Sequence, residues 1–189
     1  MFCVTKLNSG GLQNYLLRFI THHKKELTAY VICKSGVKGE DLVDNFESLG
    51  VKIVPLRLPY FNFIAYWKLF CFLKNEQFES ICDFTGNFAA LPLLTARLAG
   101  IKNRVAFYRG SSNRFNEDKF RLLYNKQLNR IIPKVSTSIL ANSKTALNFF
   151  FNDKWQNNPK YEVVYNGINA LQFLSEKESL RKKLKIPND

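Results

Sequence analysis

The chain has 189 residues, enough for one well-packed domain and short for two. Hydrophobic residues make up 46% and charged residues 23%, a globular composition that excludes a disordered chain, a collagen-like repeat and a disulfide miniprotein. Lys and Arg number 28 against 15 Asp and Glu, a formal net charge of +13, which points to an anionic partner: nucleic acid, an acidic membrane surface or a phosphorylated ligand.

Met1–Leu7 reads as a strand, and Asn8-Ser9-Gly10-Gly11 after it as a tight turn. Leu12, Tyr15, Leu16, Phe19 and Ile20 then recur at helical spacing. Leu27–Cys33 is a second strand, Asp41–Leu49 a short helix with Gly50 as its C-cap, and Val51–Leu56 a third strand. Phe63, Tyr66, Trp67, Phe70 and Leu73 again have helical spacing. Ser80–Phe84 is a strand, Phe88–Leu98 a helix closed by Gly100, and Arg104–Tyr108 a strand.

A longer helix is expected over 115–133, with Phe120, Leu123, Tyr124 and Leu128 facing inward. Ser138–Ala141, Lys144–Phe151 and Glu162–Tyr165 follow as strand, helix and strand, and residues 175–185 as a charged helix. Strands alternating with helices imply βαβ units. The expected fold is therefore α/β: a Rossmann-like, doubly wound, mostly parallel sheet of about seven strands. Residues 1–170 form the expected domain and 171–189 a linker.

Cys3, Cys33, Cys71 and Cys82 form no CxxC pair and lie in apolar segments, where a thiol acts as a small buried hydrophobe. No run reaches the ~18 apolar residues of a membrane span, and no signal-peptide pattern opens the chain. The expected location is cytoplasmic, with contact to the inner membrane face left open. His22 and His23 are helix neighbours expected to point apart, so no metal is assigned.

Three features carry candidate chemistry. Gly10 and Gly11 sit between the first strand and the first helix, where the free N–H groups of a helix start suit phosphate. Asn166-Gly167 after the last strand is a turn signal. Residues 97–144 hold eleven basic residues against Glu117 and Asp118, with aromatic residues interleaved. Such a stretch suits anionic lipid, with Arg121, Lys126 and Arg130 facing it, or nucleic acid.

In order, these pieces resemble the N-terminal half of a group 1 (family 4) retaining glycosyltransferase with a GT-B fold. The residues that carry the resemblance are Asn8–Tyr15, Ile139–Lys144, Val163–Asn169 and the closing Leu180–Pro187. The resemblance implies that this is the acceptor-side domain, and that a donor-binding domain lies beyond it. It implies that the chain alone is inactive.

Gly10 and Gly11 would then approach the donor phosphates. Thr85, Gly86, Asn87 and Asn113 would face the acceptor, and Asn166 and Gly167 would edge the cleft. Arg109 stands where the family often has a histidine. It would stabilise phosphate charge and could not serve as a base. The substrates implied are a nucleotide sugar and a saccharide or lipid-linked acceptor of surface polysaccharide or lipopolysaccharide, with no separate cofactor and no nucleic acid. A GT-B sugar-nucleotide epimerase and a basic α/β nucleic-acid-binding module stand as the alternatives.

Overall fold

The computed structural model describes residues 1–60, 62–112 and 118–167. Seven strands form one sheet: β1 (Phe2–Val4), β2 (Tyr30–Cys33), β3 (Lys52–Pro55), β4 (Ser80–Asp83), β5 (Asn103–Tyr108), β6 (Ser138–Ala141) and β7 (Tyr161–Val163). Their order is β3-β2-β1-β4-β5-β6-β7, and every neighbouring pair is parallel. The direction of winding reverses between β1 and β4, the place where such sheets open a crevice at the carboxyl ends of the strands.

Among the described residues six α-helices cover the sheet: α1 (Gly11–His22), α2 (Val43–Ser48), α3 (Phe63–Glu76), α4 (Ala90–Leu98), α5 (Lys119–Val135) and α6 (Lys144–Phe151). Leu16 and Ile20 of α1 and Phe46 of α2 pack with Val4, Val31 and Phe107 in one buried cluster. Leu69 and Leu73 of α3, Leu93 of α4, Ile132 of α5 and Leu147 of α6 pack with Ile32, Ile81 and Ile139 in the other. Side chains alternate across a strand, so adjacent residues such as Val31 and Ile32 feed opposite layers.

Three helix starts are fixed by side-chain caps. Asn62 accepts from the Ala65 N–H, Asp118 from Arg121 and Ser143 from Ala146. Gly50 and Gly100 follow α2 and α4 with left-handed backbone angles, as their placement in the sequence predicts.

The structure corrects several expectations. β1 is three residues long rather than seven, because Thr5 to Gly10 turns away at the crevice. The last strand is Tyr161–Val163 rather than Glu162–Tyr165. α5 runs through Pro133 to Val135 instead of stopping at 133. Ile132 and Val135, both buried, hold its last turn against the sheet despite the missing proline N–H. Its inner face is Leu128, Ile132 and Val135; Phe120 is 87% exposed and Leu123 58% exposed. The rings of His22 and His23 do not diverge. They lie 4.8 Å apart, because His23 caps α1 with φ −99° and ψ 15° and has left the helix. The expected helix over 175–185 and the linker 171–189 fall outside the described residues.

Candidate functional site

Thr5 beyond β1, Phe84 to Gly86 beyond β4 and Arg109 and Gly110 beyond β5 line one cavity of about 350 Å³. Leu12 and Gln13 from the first turn of α1 close it on one side, and Asn125 of α5 and Phe150 of α6 on another. It therefore sits at the crevice that the strand order creates.

Lys34, just past β2, spans β1 to reach β4. Its Nζ donates to Asp83 Oδ2 at 2.9 Å, to Thr85 Oγ1 at 2.7 Å and to the Phe88 carbonyl at 2.8 Å. Asp83 is fully buried, and its Oδ1 accepts from the Thr85 N–H at 2.9 Å and the Thr85 hydroxyl at 2.6 Å. Buried charges persist only when paired and hydrogen-bonded. Here the pair fixes the turn that carries Thr85, Gly86 and Asn87.

Beyond that turn, the Tyr108 hydroxyl donates to Asn87 Oδ1 at 2.7 Å, and Asn87 Nδ2 donates to Asn125 Oδ1 at 3.0 Å. Burial pushes the Tyr108 phenol well above its ordinary pKa, so it stays a neutral donor. Gly86 has φ +62°, and a Cβ there would lie 3.3 Å from the Tyr108 ring; close approach and backbone angle both call for glycine.

The Arg109 guanidinium stands 4.2 Å from the Tyr15 ring centroid and 5.3 Å from that of Phe107. Burial draws its pKa below the usual guanidinium value, with Tyr15 opposing that shift. An arginine nonetheless stays charged at neutral pH. The cavity lining thus includes a cation packed against two aromatic rings.

Of the residues read from the sequence, Thr85, Gly86, Asn87 and Arg109 come together in this cavity. The polar groups of Thr85 and Asn87 are engaged inside the protein, so these residues also build the wall. Gly10 and Gly11 stand just outside the lining, at the N-terminus of α1. Asn166 and Gly167 are exposed past β7, the edge strand of the sheet, and do not line this cavity. Arg121, Lys126 and Arg130 are exposed on α5; Arg121 Nε pairs with Asp118 Oδ2 at 3.1 Å. Asn113 lies outside the described residues.

Sequence reading missed Lys34, Asp83, Tyr15 and Asn125. Asp83 alone carried a signal, as a lone carboxylate in the apolar strand Ser80–Asp83. Among the described residues, no group of three or more His, Cys, Asp or Glu side chains gathers in a metal-binding arrangement, and no helix is long and apolar enough to cross a membrane.

No family model matches the sequence. The chain is similar to CapH of Staphylococcus aureus, a capsular polysaccharide biosynthesis glycosyltransferase. The two are 28% identical over 169 residues, covering 89% of this chain and 46% of CapH. The chain spans about half the length of the curated relative it matches.

Among solved structures it is similar to Anabaena HepE in complex with UDP, with a TM-score of 0.72 and 15% identity over 100% of this chain and 50% of HepE. The UDP-glucose complex of HepE gives a TM-score of 0.67, again with 15% identity, 100% of this chain and 50% of HepE. Acinetobacter baumannii MurG gives 0.55 with 11% identity, over 99% of this chain and 55% of MurG. At such identities the likeness is one of fold: this sheet with its flanking helices is a Rossmann-like half of a GT-B architecture.

Proposed function

We propose that this chain is the acceptor-side half of a glycosyltransferase that moves a sugar from a nucleotide-sugar donor to a saccharide or lipid-linked acceptor. The pathway is synthesis of surface polysaccharide or lipopolysaccharide. The observation that carries the reading is the cavity at the winding reversal, with Arg109 in its lining and packed against Tyr15. The similarity to CapH over 89% of the chain supports a transferase rather than an epimerase or a nucleic-acid-binding module.

In this reading residues 1–170 are the acceptor-side domain and 171–189 begin the connection to a donor-binding domain. The anomeric carbon–oxygen bond to the diphosphate breaks, and a new bond forms to the acceptor oxygen with retention of configuration. The acceptor's proton leaves with the released nucleoside diphosphate. Arg109 neutralises charge developing on that diphosphate, and the N–H groups at Gly10 and Gly11 add the positive end of α1. Thr85, Gly86, Asn87 and Asn113 meet the acceptor, and Asn166 and Gly167 edge the cleft. The enzyme works in the cytoplasm, with Arg121, Lys126 and Arg130 turned to the anionic inner face of a membrane.

Incubation with a panel of nucleotide sugars and lipid-extracted acceptors, with nucleotide release followed by mass spectrometry, tests the assignment. The 189-residue chain alone should release none. A chain extended after Asp189 by a donor-binding domain should release nucleotide from one donor. Release from no donor by the extended chain sinks the transferase reading. Release by the 189 residues alone sinks the claim that this half is inactive by itself.

A further inference from the structure

The cavity that holds Arg109 in its lining has a smaller neighbour. A second cavity of about 180 Å³ shares Thr5, Tyr60, Thr85 and Phe88 with it. Tyr60 is the aromatic post of that common wall. Its ring meets Phe88 at 5.3 Å and Tyr124 edge-on at 5.3 Å between centroids, yet Tyr60 stays 52% exposed. Tyr66 of α3, Leu91 of α4 and Tyr124 and Leu128 of α5 line the smaller cavity and not the larger.

The two cavities differ in charge. Among the described residues no Asp or Glu lines either one. Arg109 lines the larger alone. The cation that lines the smaller is Lys34, and Asp83 neutralises it at 2.9 Å. An ammonium has three protons to donate. Those of Lys34 go to Asp83, Thr85 and the Phe88 carbonyl. The smaller cavity therefore presents neither net charge nor a spare ammonium proton to a ligand.

What it presents is rings and hydroxyls. Tyr66 and Tyr124 are half-buried, and burial pushes both phenols above their ordinary pKa, so both stay protonated at neutral pH. A tyrosine joins an apolar ring to a polar tip. A pyranose has the complementary make-up: a face of C–H bonds that packs on a ring, and an edge of hydroxyls that bond to the tip. A hydrocarbon occupant would leave the Tyr66 hydroxyl facing apolar surface, which carries a cost. A charged sugar would find no free counter-ion there.

We infer that the smaller cavity is a second sugar subsite, where an uncharged pyranose packs on Tyr60 and Tyr66, so that the acceptor is a saccharide of at least two residues. Its reacting sugar stands beside Arg109 in the larger cavity, and the next sugar passes the Tyr60 wall into the smaller. The inference names the acceptor class of the proposed transferase and rests on that reading. It makes Tyr66 a residue that sets acceptor length and charge from outside the reacting cavity.

The test titrates the full 189-residue chain, isotopically labelled in its tyrosine rings, and follows binding by NMR. The probes are cellobiose, lactose and diacetylchitobiose, their component monosaccharides, a disaccharide containing glucuronate, and farnesol. At least one neutral disaccharide is expected to bind roughly tenfold more tightly than either of its component sugars, or about 1.4 kcal/mol. Its C–H protons should give Overhauser contacts to the Tyr66 ring, assigned with Tyr66→Phe. Tyr66→Ala should weaken that disaccharide roughly tenfold. Should Tyr66→Ala not fold, the Overhauser contacts in the wild-type chain decide the same point.

Equal affinity for mono- and disaccharides overturns the second subsite. So does disaccharide binding that makes no contact with the Tyr66 ring, or that a folded Tyr66→Ala chain retains in full. Equal binding of the glucuronate disaccharide overturns its neutral character. Tyr66 ring shifts with farnesol and with no saccharide overturn it in favour of an apolar occupant, and no binding by any probe overturns it outright. Nucleotide release by the extended chain is measured separately. Release there with no disaccharide preference here removes the subsite and leaves the transferase reading standing.

Discussion

Lys34 and Asp83 lie 49 residues apart in sequence and on strands that do not touch, yet Nζ and Oδ2 meet at 2.9 Å with both side chains withdrawn from solvent. The contact ties the β2 exit to the turn that forms the cavity wall. Removing one member of such a pair leaves an uncompensated buried charge. Lys34→Met should cost about 3–5 kcal/mol of stability by urea unfolding. The double change Lys34→Met with Asp83→Leu should recover part of that loss. A single-variant cost below about 1 kcal/mol would place the pair among ion pairs that contribute little.

The buried thiols make an alkaline prediction. Burial pushes the Cys33 thiol from 9.0 up to about 11, and raises Cys3 and Cys82 as well. A group whose pKa is raised on folding keeps its proton in the native state after the unfolded chain has lost it. The stability it contributes is complete below about pH 9 and declines as pH rises toward 11. Cys33→Val should flatten the fall in urea midpoint across that window and leave neutral-pH values nearly unchanged. Equal pH profiles for variant and wild type would refute the assignment.

Much of the fold is legible in the sequence because alternation between strand and helix period is a local property. The helices after Asn62, Asp118 and Ser143 begin at side chains that can cap them. The Gly-Gly turn comes at the first strand exit because a parallel sheet needs a crossover there. The errors arose where tertiary partners decide. Phe120 and Leu123 fit a helical apolar stripe as well as Leu128 does, and only the position of the sheet shows which of them is covered. The Lys34–Asp83 contact and the stacking of Arg109 on Tyr15 join distant segments, and no periodicity encodes either. Thr85, Gly86, Asn87 and Arg109 are named in the sequence only through the family resemblance, and the structure places them at strand ends that line the cavity.

Arg109 should behave as a held cation. A double-mutant cycle over Tyr15→Leu and Arg109→Met should give a coupling of about 0.5–1 kcal/mol in urea unfolding, the range of a partly exposed cation–π contact. In the nucleotide-release assay of the extended chain, Arg109→Lys should lower kcat by about 10²–10³, as loss of a preorganised charge donor does. The lysine keeps the charge but loses the guanidinium that lies 4.2 Å from the Tyr15 ring centroid. Tyr15→Phe keeps the ring and should keep the rate. A lysine variant as fast as wild type would remove Arg109 from the site.

Gly10 and Gly11 separate a structural role from a ligand role. A Cβ at Gly10 would fall 2.8 Å from Gln13 Oε1. The Gln13 side chain could swing aside only by giving up its bond from Nε2 to the Lys6 carbonyl at 2.9 Å. Gly10→Ala should therefore cost about 0.5–1.5 kcal/mol, the net value of one such bond. A Cβ at Gly11 meets nothing within 4 Å, and Gly11 is the first residue of α1. Gly11→Ala should leave stability unchanged or raise it by up to about 1 kcal/mol, since alanine favours helix. If a donor phosphate approaches the α1 N-terminus, the same methyl group intrudes on it and should raise KM for the nucleotide sugar at least roughly tenfold, or about 1.4 kcal/mol. A stable Gly11→Ala protein with unaltered KM would show that the first glycine turn serves the chain's path and not its ligand.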